Sequence, residues 1–144
     1  MLSTDKIKYL LSHGENKQVE FKKCTDKVSA SVYETVCSFL NAEGGYIFLG
    51  VDDDGTILGI NPKCVTDIIK SIINTLNNPE QFLPPMPITP EQTEIDGKII
   101  LYLNVPESEQ VHRYKNRFYD RWGDADNDVS KHTYLVKNMF MRKE

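Results

Sequence analysis

Between Val32 and Val51 the hydrophobic period changes, and that change limits what the chain can fold into. Val32, Val36, Phe39 and Leu40 fall at i, i+4, i+7 and i+8, one face of a helix. Asn41-Ala42-Glu43-Gly44-Gly45 then stops the pattern, and Tyr46 to Val51 runs almost continuously apolar. A run of that kind is a strand buried on both faces. The helix must pack on it, and something else must cover the other side, so the chain reads as a layered α/β fold.

The remaining pattern fills in that architecture. Ile7, Leu10 and Leu11 mark a short helix stopped near Gly14, and Val19 to Lys22 alternates as a strand. Ser31 to Glu34 has the form of a capping box. Asp53-Asp54-Gly55 reads as a turn from which Thr56 to Ile60 returns as a hairpin arm. Asn61-Pro62 opens a helix over 63–77 that is expected to bury Val65, Ile69, Ile72 and Leu76. Pro84, Pro85, Pro87 and Pro90 make an extended connector. Asp96-Gly97 joins two strands, and Lys115-Asn116 joins Val111–Tyr114 to Arg117–Trp122. A helix closes the chain, at about 129–142. The expectation is one α/β (α+β) domain over 1–144, of two or three layers. Its core spans about 10–125, with a mixed, mostly antiparallel sheet of about five or six strands.

Composition narrows function. The chain has 144 residues, 40% hydrophobic and 26% charged, which suits one globular domain and excludes a disordered chain or a disulfide scaffold. The net charge of −4 argues against a uniformly basic nucleic-acid binder. The charge is uneven, however: the stretch from Val111 onward carries eight basic and five acidic residues. Cys24, Cys37 and Cys64 are odd in number and lack zinc spacing, so reduced thiols in a cytoplasmic protein are expected. No signal peptide or membrane-length stretch is visible.

Several constellations could carry chemistry. Glu15, Glu20 and the Asp52-Asp53 pair would converge at one sheet edge if their strands are neighbours. A divalent cation would then relieve their repulsion and could position water against a phosphodiester. The alternative is a solvent-facing Glu20 and an ordinary acidic turn. Gly44-Gly45 either exposes amides to phosphate or caps a helix; no nucleotide-binding loop of either standard form is present. Residues 113–122 interleave Arg113, Lys115, Arg117 and Arg121 with Tyr114, Phe118, Tyr119 and Trp122. Alternation puts Arg117, Tyr119 and Arg121 on one face, suited to a phosphate backbone, and Phe118 and Trp122 on the other, suited to the core. A basic edge strand that deters aggregation has the same pattern. Asp124 to Asp128 imitates the start of a calcium loop. Val129 and Leu135 at the sixth and twelfth positions exclude an EF-hand, leaving an acidic loop or helix start. His13, His112 and His132 suggest no nucleophilic triad.

Three segments together resemble one family. They are Glu15 with Glu20-Phe21-Lys22, the stretch Phe39-Leu40-Asn41 through Gly44-Gly45 to Gly50-Val51-Asp52-Asp53, and Tyr119-Asp120-Arg121-Trp122-Gly123. The chain resembles the Schlafen-type AlbA-like domain, associated with DNA binding in bacterial transcriptional regulators. The resemblance implies a nucleic-acid partner, DNA ahead of RNA, with Lys22, Lys23, Arg113, Lys115, Arg117, Tyr119 and Arg121 as contacts. It implies an alternative as well, because some mammalian members cut RNA with an acidic triad that matches Glu15, Glu20 and Asp53. Those three would then be catalytic and would hold Mg²⁺ or Mn²⁺; without that activity no cofactor is expected. Here Asp124-Ala125-Asp126 follows the late glycine where the family has small hydroxyl residues, and no helix-turn-helix follows. A homodimer would supply the second lobe that the RNA-cutting members use.

Overall fold

Every residue from 1 to 144 is described by the computed structural model. In chain order the elements are α1 (Thr4–His13), β1 (Val19–Lys22), α2 (Ala30–Asn41), β2 (Gly45–Leu49), α3 (Val65–Leu76), β3 (Phe82–Leu83), β4 (Glu91–Ile95), β5 (Lys98–Val105), β6 (Arg113–Tyr114), β7 (Tyr119–Trp122), β8 (Ala125–Asp128) and α4 (Thr133–Arg142). The central sheet has the order β1-β2-β5-β4. Its β1-β2 pair is parallel and the other two are antiparallel.

The apolar run of β2 is buried as its composition requires. Alternate residues sort to opposite faces of the sheet. Phe48, Ile100 and Tyr102 meet Ile7 and Leu11 of α1 on one side. Ile47, Leu49, Leu101 and Leu103 meet α2 and α3 on the other. The result is three layers, helix, sheet and helices, with no helix long and apolar enough to cross a membrane.

The sheet has four strands rather than five or six. Thr56–Ile60 folds back on Gly50–Asp52, through the Asp52 amide on the Thr56 carbonyl (2.8 Å), the Leu58 amide on the Gly50 carbonyl (2.9 Å) and an isolated antiparallel bridge between Val51 and Ile57, but it forms no regular strand of the sheet. Both edges of β2 are already taken, by β1 and β5. The turn at Lys115-Asn116 forms, with both residues at positive φ (50° and 63°). Its two arms then part company, β6 pairing with β3 and β7 with β8. The acidic segment Asp124–Asp128 is therefore mostly strand, not a loop or helix start. Two helix starts also shift. Ser29, not Ser31, is the N-cap of α2. Asn61 closes a turn onto the Lys63 amide, and α3 begins at Val65. α3 buries Val65, Ile68, Ile72 and Leu76, with Ile69 only half-buried.

Gly44 and Gly45 are explained by close backbone approach. The Gly44 amide donates to the Phe39 carbonyl (2.8 Å), closing α2. Gly44 has φ 75°, and a Cβ there would sit 2.5 Å from the Val105 carbonyl oxygen. At Gly45 a Cβ would come 2.5 Å from the Gln18 carbonyl oxygen. The pair is thus a helix stop wedged between β1 and the end of β5, with no open space for a phosphate. Gly44→Ala is expected to lower stability by about 2 kcal/mol or more, since clash adds to left-handed strain. Gly97→Ala, at φ 79° with nothing within 4 Å of its Cβ, should lose only about 1 kcal/mol. Chemical denaturation of the two variants checks the difference.

Candidate nucleic-acid interface

The late Tyr-x-Arg-x-Gly segment forms β7, and its face assignment is the reverse of the simple alternation. Arg121 points inward with a fully buried side chain, while Trp122 is 48% exposed. The Arg121 guanidinium bonds Glu20 Oε1 (2.9 Å), Asp126 Oδ1 (2.9 Å) and the carbonyls of Asn16 (2.8 Å) and Lys17 (3.3 Å). It also lies 4.7 Å over the Phe39 ring. These bonds and the full burial of the side chain turn Arg121 toward the protein rather than toward a phosphate in solvent. Tyr119 is buried in the main core as well. Burial beside Glu34 and Asp128 pushes its phenol up to about 12, which keeps it neutral. Tyr119 therefore offers no free ring for a base. The segment turns inward because α2 packs across β7, so its polar face had to be satisfied inside.

The other predicted cations differ in state. Lys115 is exposed at the tip of the two-residue turn, its Nζ 5.4 Å over the Tyr114 ring, and Arg113 is half-buried with no acidic partner. Arg117 pairs with Asp128 (2.9 Å) and Lys23 with Asp52 (3.5 Å), both on the surface. Lys22 lies within Coulombic reach of Glu20 and Glu34, and Lys115 within reach of Glu34, though neither forms an ion pair. Beside Lys115 a cleft of about 450 Å³ is lined by Tyr33, Asn74, Asn78, Gln81 and Tyr114, with no acidic residue in its wall.

The carboxylates divide. Glu15 and Glu20 come within hydrogen-bonding reach of each other, and Glu15 Oε2 also accepts the outward amide of Phe21 (3.0 Å). That bond caps the free edge of β1, where Asn16 pairs with Val19 in the same way. Asp53 is not brought to them. It sits exposed in the turn after β2, its amide bonded to Asp52 Oδ1 (2.8 Å). No three Asp, Glu, His or Cys side chains gather at a common cation-sized point. With Glu15 capping a strand, Glu20 on Arg121 and Asp53 apart, the residues present do not form a donor set for Mg²⁺ or Mn²⁺.

Burial and the Glu15 carboxyl raise the Glu20 pKa to about 8, outweighing Lys22 and Arg121. Asp126 is the second carboxylate on the same guanidinium nitrogen, at 2.9 Å. A carboxyl raised in the folded state contributes stability fully present below its unfolded value near 4.5 and lost as pH rises through about 8. Glu20→Gln, which mimics the protonated form, is expected to flatten the fall in melting temperature between pH 5 and 9. Arg121→Ala should cost about 3–5 kcal/mol, because Asp126 is left without its partner. Thermal melts across that pH range measure both.

Comparison with known proteins agrees with this architecture. The N-terminal domain of a protein from Nitrosomonas europaea, described as related to the ATP-dependent DNA helicase RecG, is similar at 26% identity. The match covers 74% of each chain with a TM-score of 0.58. The DIP2311 protein from Corynebacterium diphtheriae shares the fold at 15% identity and a TM-score of 0.62, over 87% of this chain and 28% of its own. The sequence itself matches the Schlafen, AlbA_2 family over residues 15–130, the span from the β1 edge cap through β8, and on that match the chain belongs to the Schlafen, AlbA_2 family.

Proposed function

We propose that this domain binds nucleic acid, and specifically duplex DNA as part of a transcriptional regulator, through the turn between β6 and β7. The observation that carries the reading is Lys115, an exposed cation on a rigid turn beside a polar cleft free of carboxylates. Arg113 adds a second cation without an acidic partner. A two-residue turn with both residues in the left-handed region has little freedom to lose on binding. Asn74, Asn78 and Gln81 supply donors that suit phosphate oxygens. Family membership and a neighbour related to a DNA helicase support the same class of partner. Lys22 and Lys23 extend the surface, and Arg117 joins it by exchanging Asp128 for phosphate. One such turn gives a small footprint, so the proposed gripping unit is a homodimer.

Anisotropy of a labelled DNA duplex tests this. Affinity should fall steeply between 50 and 200 mM salt, and Arg113→Ala with Lys115→Ala should reduce the slope of log K against log salt by about 2, one for each phosphate no longer neutralised. Sedimentation velocity should find two chains per duplex. An unchanged slope in the double variant, or no binding at low salt, overturns the assignment.

A further inference from the structure

A second cleft, of about 500 Å³, opens where the end of α2, β7 and the end of α4 meet. The chain's sole tryptophan, Trp122, stands in its wall about half exposed. A large aromatic ring left in solvent beside cations is unusual, and the structure fixes it in place. The indole N–H donates to Asp120 Oδ2 (3.2 Å). Asp120 is itself buried and accepts the Arg121 amide (3.0 Å), so the anchor cannot swing. The same carboxylate takes two bonds from Arg142 (3.0 and 3.3 Å), and Arg142 also donates to the carbonyl that ends α2, that of Asn41 (3.2 Å). Lys143 reaches the Leu40 carbonyl (3.3 Å) and completes the wall. A flat ring, a guanidinium and an ammonium are thereby held side by side before any ligand arrives.

We infer that this cleft is a subsite for one unpaired nucleotide of a single strand, its base stacked on Trp122 and its phosphate on Arg142 and Lys143. The inference rests on the nucleic-acid reading above and adds a strand state and a place to it. A duplex keeps its base faces covered, so an indole face can serve only a base that is out of the stack. Preorganisation of the ring and guanidinium removes part of the ordering cost. Glu43 and Glu107 also line the cleft, and Lys17 is paired with Glu43 (2.7 Å), so the local charge is close to balanced. Stacking, rather than charge, therefore provides the attraction, and the salt dependence here should be shallower than for duplex at the β6–β7 turn.

Because Trp122 is the only tryptophan, its fluorescence reports on this cleft alone. A short dye-labelled single strand is titrated into the full chain, reading tryptophan quenching and dye anisotropy together, beside the matching duplex. Quenching by the single strand but not by the duplex is expected. Trp122→Ala should weaken the single strand about tenfold and leave duplex affinity unchanged, while Trp122→Phe keeps most of the affinity. Lys143→Ala, whose stability is checked by melting, should weaken the single strand only. Anisotropy without quenching overturns the subsite and leaves the duplex reading standing. No binding by either signal at low salt removes both. A mononucleotide that saturates the quench at the strand's own concentration reassigns the cleft to a free nucleotide. A fluorescence shift with protein concentration alone assigns it to a second copy of the chain; either result overturns the inference.

Discussion

The buried guanidinium of Arg121 organises the structure around it. A charge with no access to water must be matched in place, and its partners come from distant parts of the chain: the turn before β1, β1 itself and β8. Asp126 passes the constraint on, accepting the hydroxyls of Thr35 and Ser38 on α2 (both 2.5 Å). The β7–β8 hairpin, the outer helix and the edge strand can therefore take only one relative position that satisfies every group. Such a pair adds little net stability against a hydrophobic substitute, since desolvation offsets most of the attraction. What it adds is uniqueness, because any shift of the hairpin leaves Asp126 or Arg121 unmatched. The departure at Asp124-Ala125-Asp126 has its physical account here, for at least Asp126 faces the protein rather than a phosphate.

A neutral lock holds the other end of α2. The Asn41 side chain donates to the carbonyls of His112 and Tyr119 (2.9 Å each) and accepts the His112 amide (2.7 Å). Burial lowers the His112 pKa, so the ring stays neutral, with Nδ1 donating to the Pro84 carbonyl and Nε2 accepting from Ser108. No buried side-chain nitrogen or oxygen is left without a partner. The two locks differ in kind. The ionic one fixes the face of α2, and the amide one fixes its end, where β6 and β7 diverge. The Phe-x-Asn signature follows from these contacts: Phe39 lies under the Arg121 guanidinium, and Asn41 ties β7 and the residue just before β6 to the helix.

The layers were legible because hydrophobic period reports burial directly. Both faces of β2, the amphipathic α3 and the Asp96-Gly97 hairpin follow from spacing and turn chemistry alone. Pairing was less legible, since it depends on which edges are already occupied. Thr56–Ile60 has strand composition, yet β1 and β5 leave it no edge of β2 to join. The site was least legible of all. Period-2 alternation separates two faces but does not say which is inside. A guanidinium and a carboxylate that satisfy each other can occupy an interior that composition assigns to aromatics. The reversal at Arg121 and Trp122 is of that kind. The one signal available was Asp126, an acid placed where a phosphate-binding strand should have none.

Counting basic residues treated as equal cations that the fold places in three states. Arg121 is consumed inside, Lys8, Lys17, Lys23, Arg117 and Arg142 sit in ion pairs, and Lys22, Arg113 and Lys115 are among those with no ion pair. No direct ion pair cancels the charge of the last group, whereas a paired cation meets a phosphate with its charge already partly offset. For a chain of net charge −4 this distribution matters more than the total. It separates one small patch, where the cations have no ion pair and the cleft wall has no acid, from a second, where Asp120 holds a ring and a guanidinium in register while neutralising the latter. The first suits a backbone of any sequence. The second can discriminate only by the shape and exposure of what enters it, because its charge is already balanced.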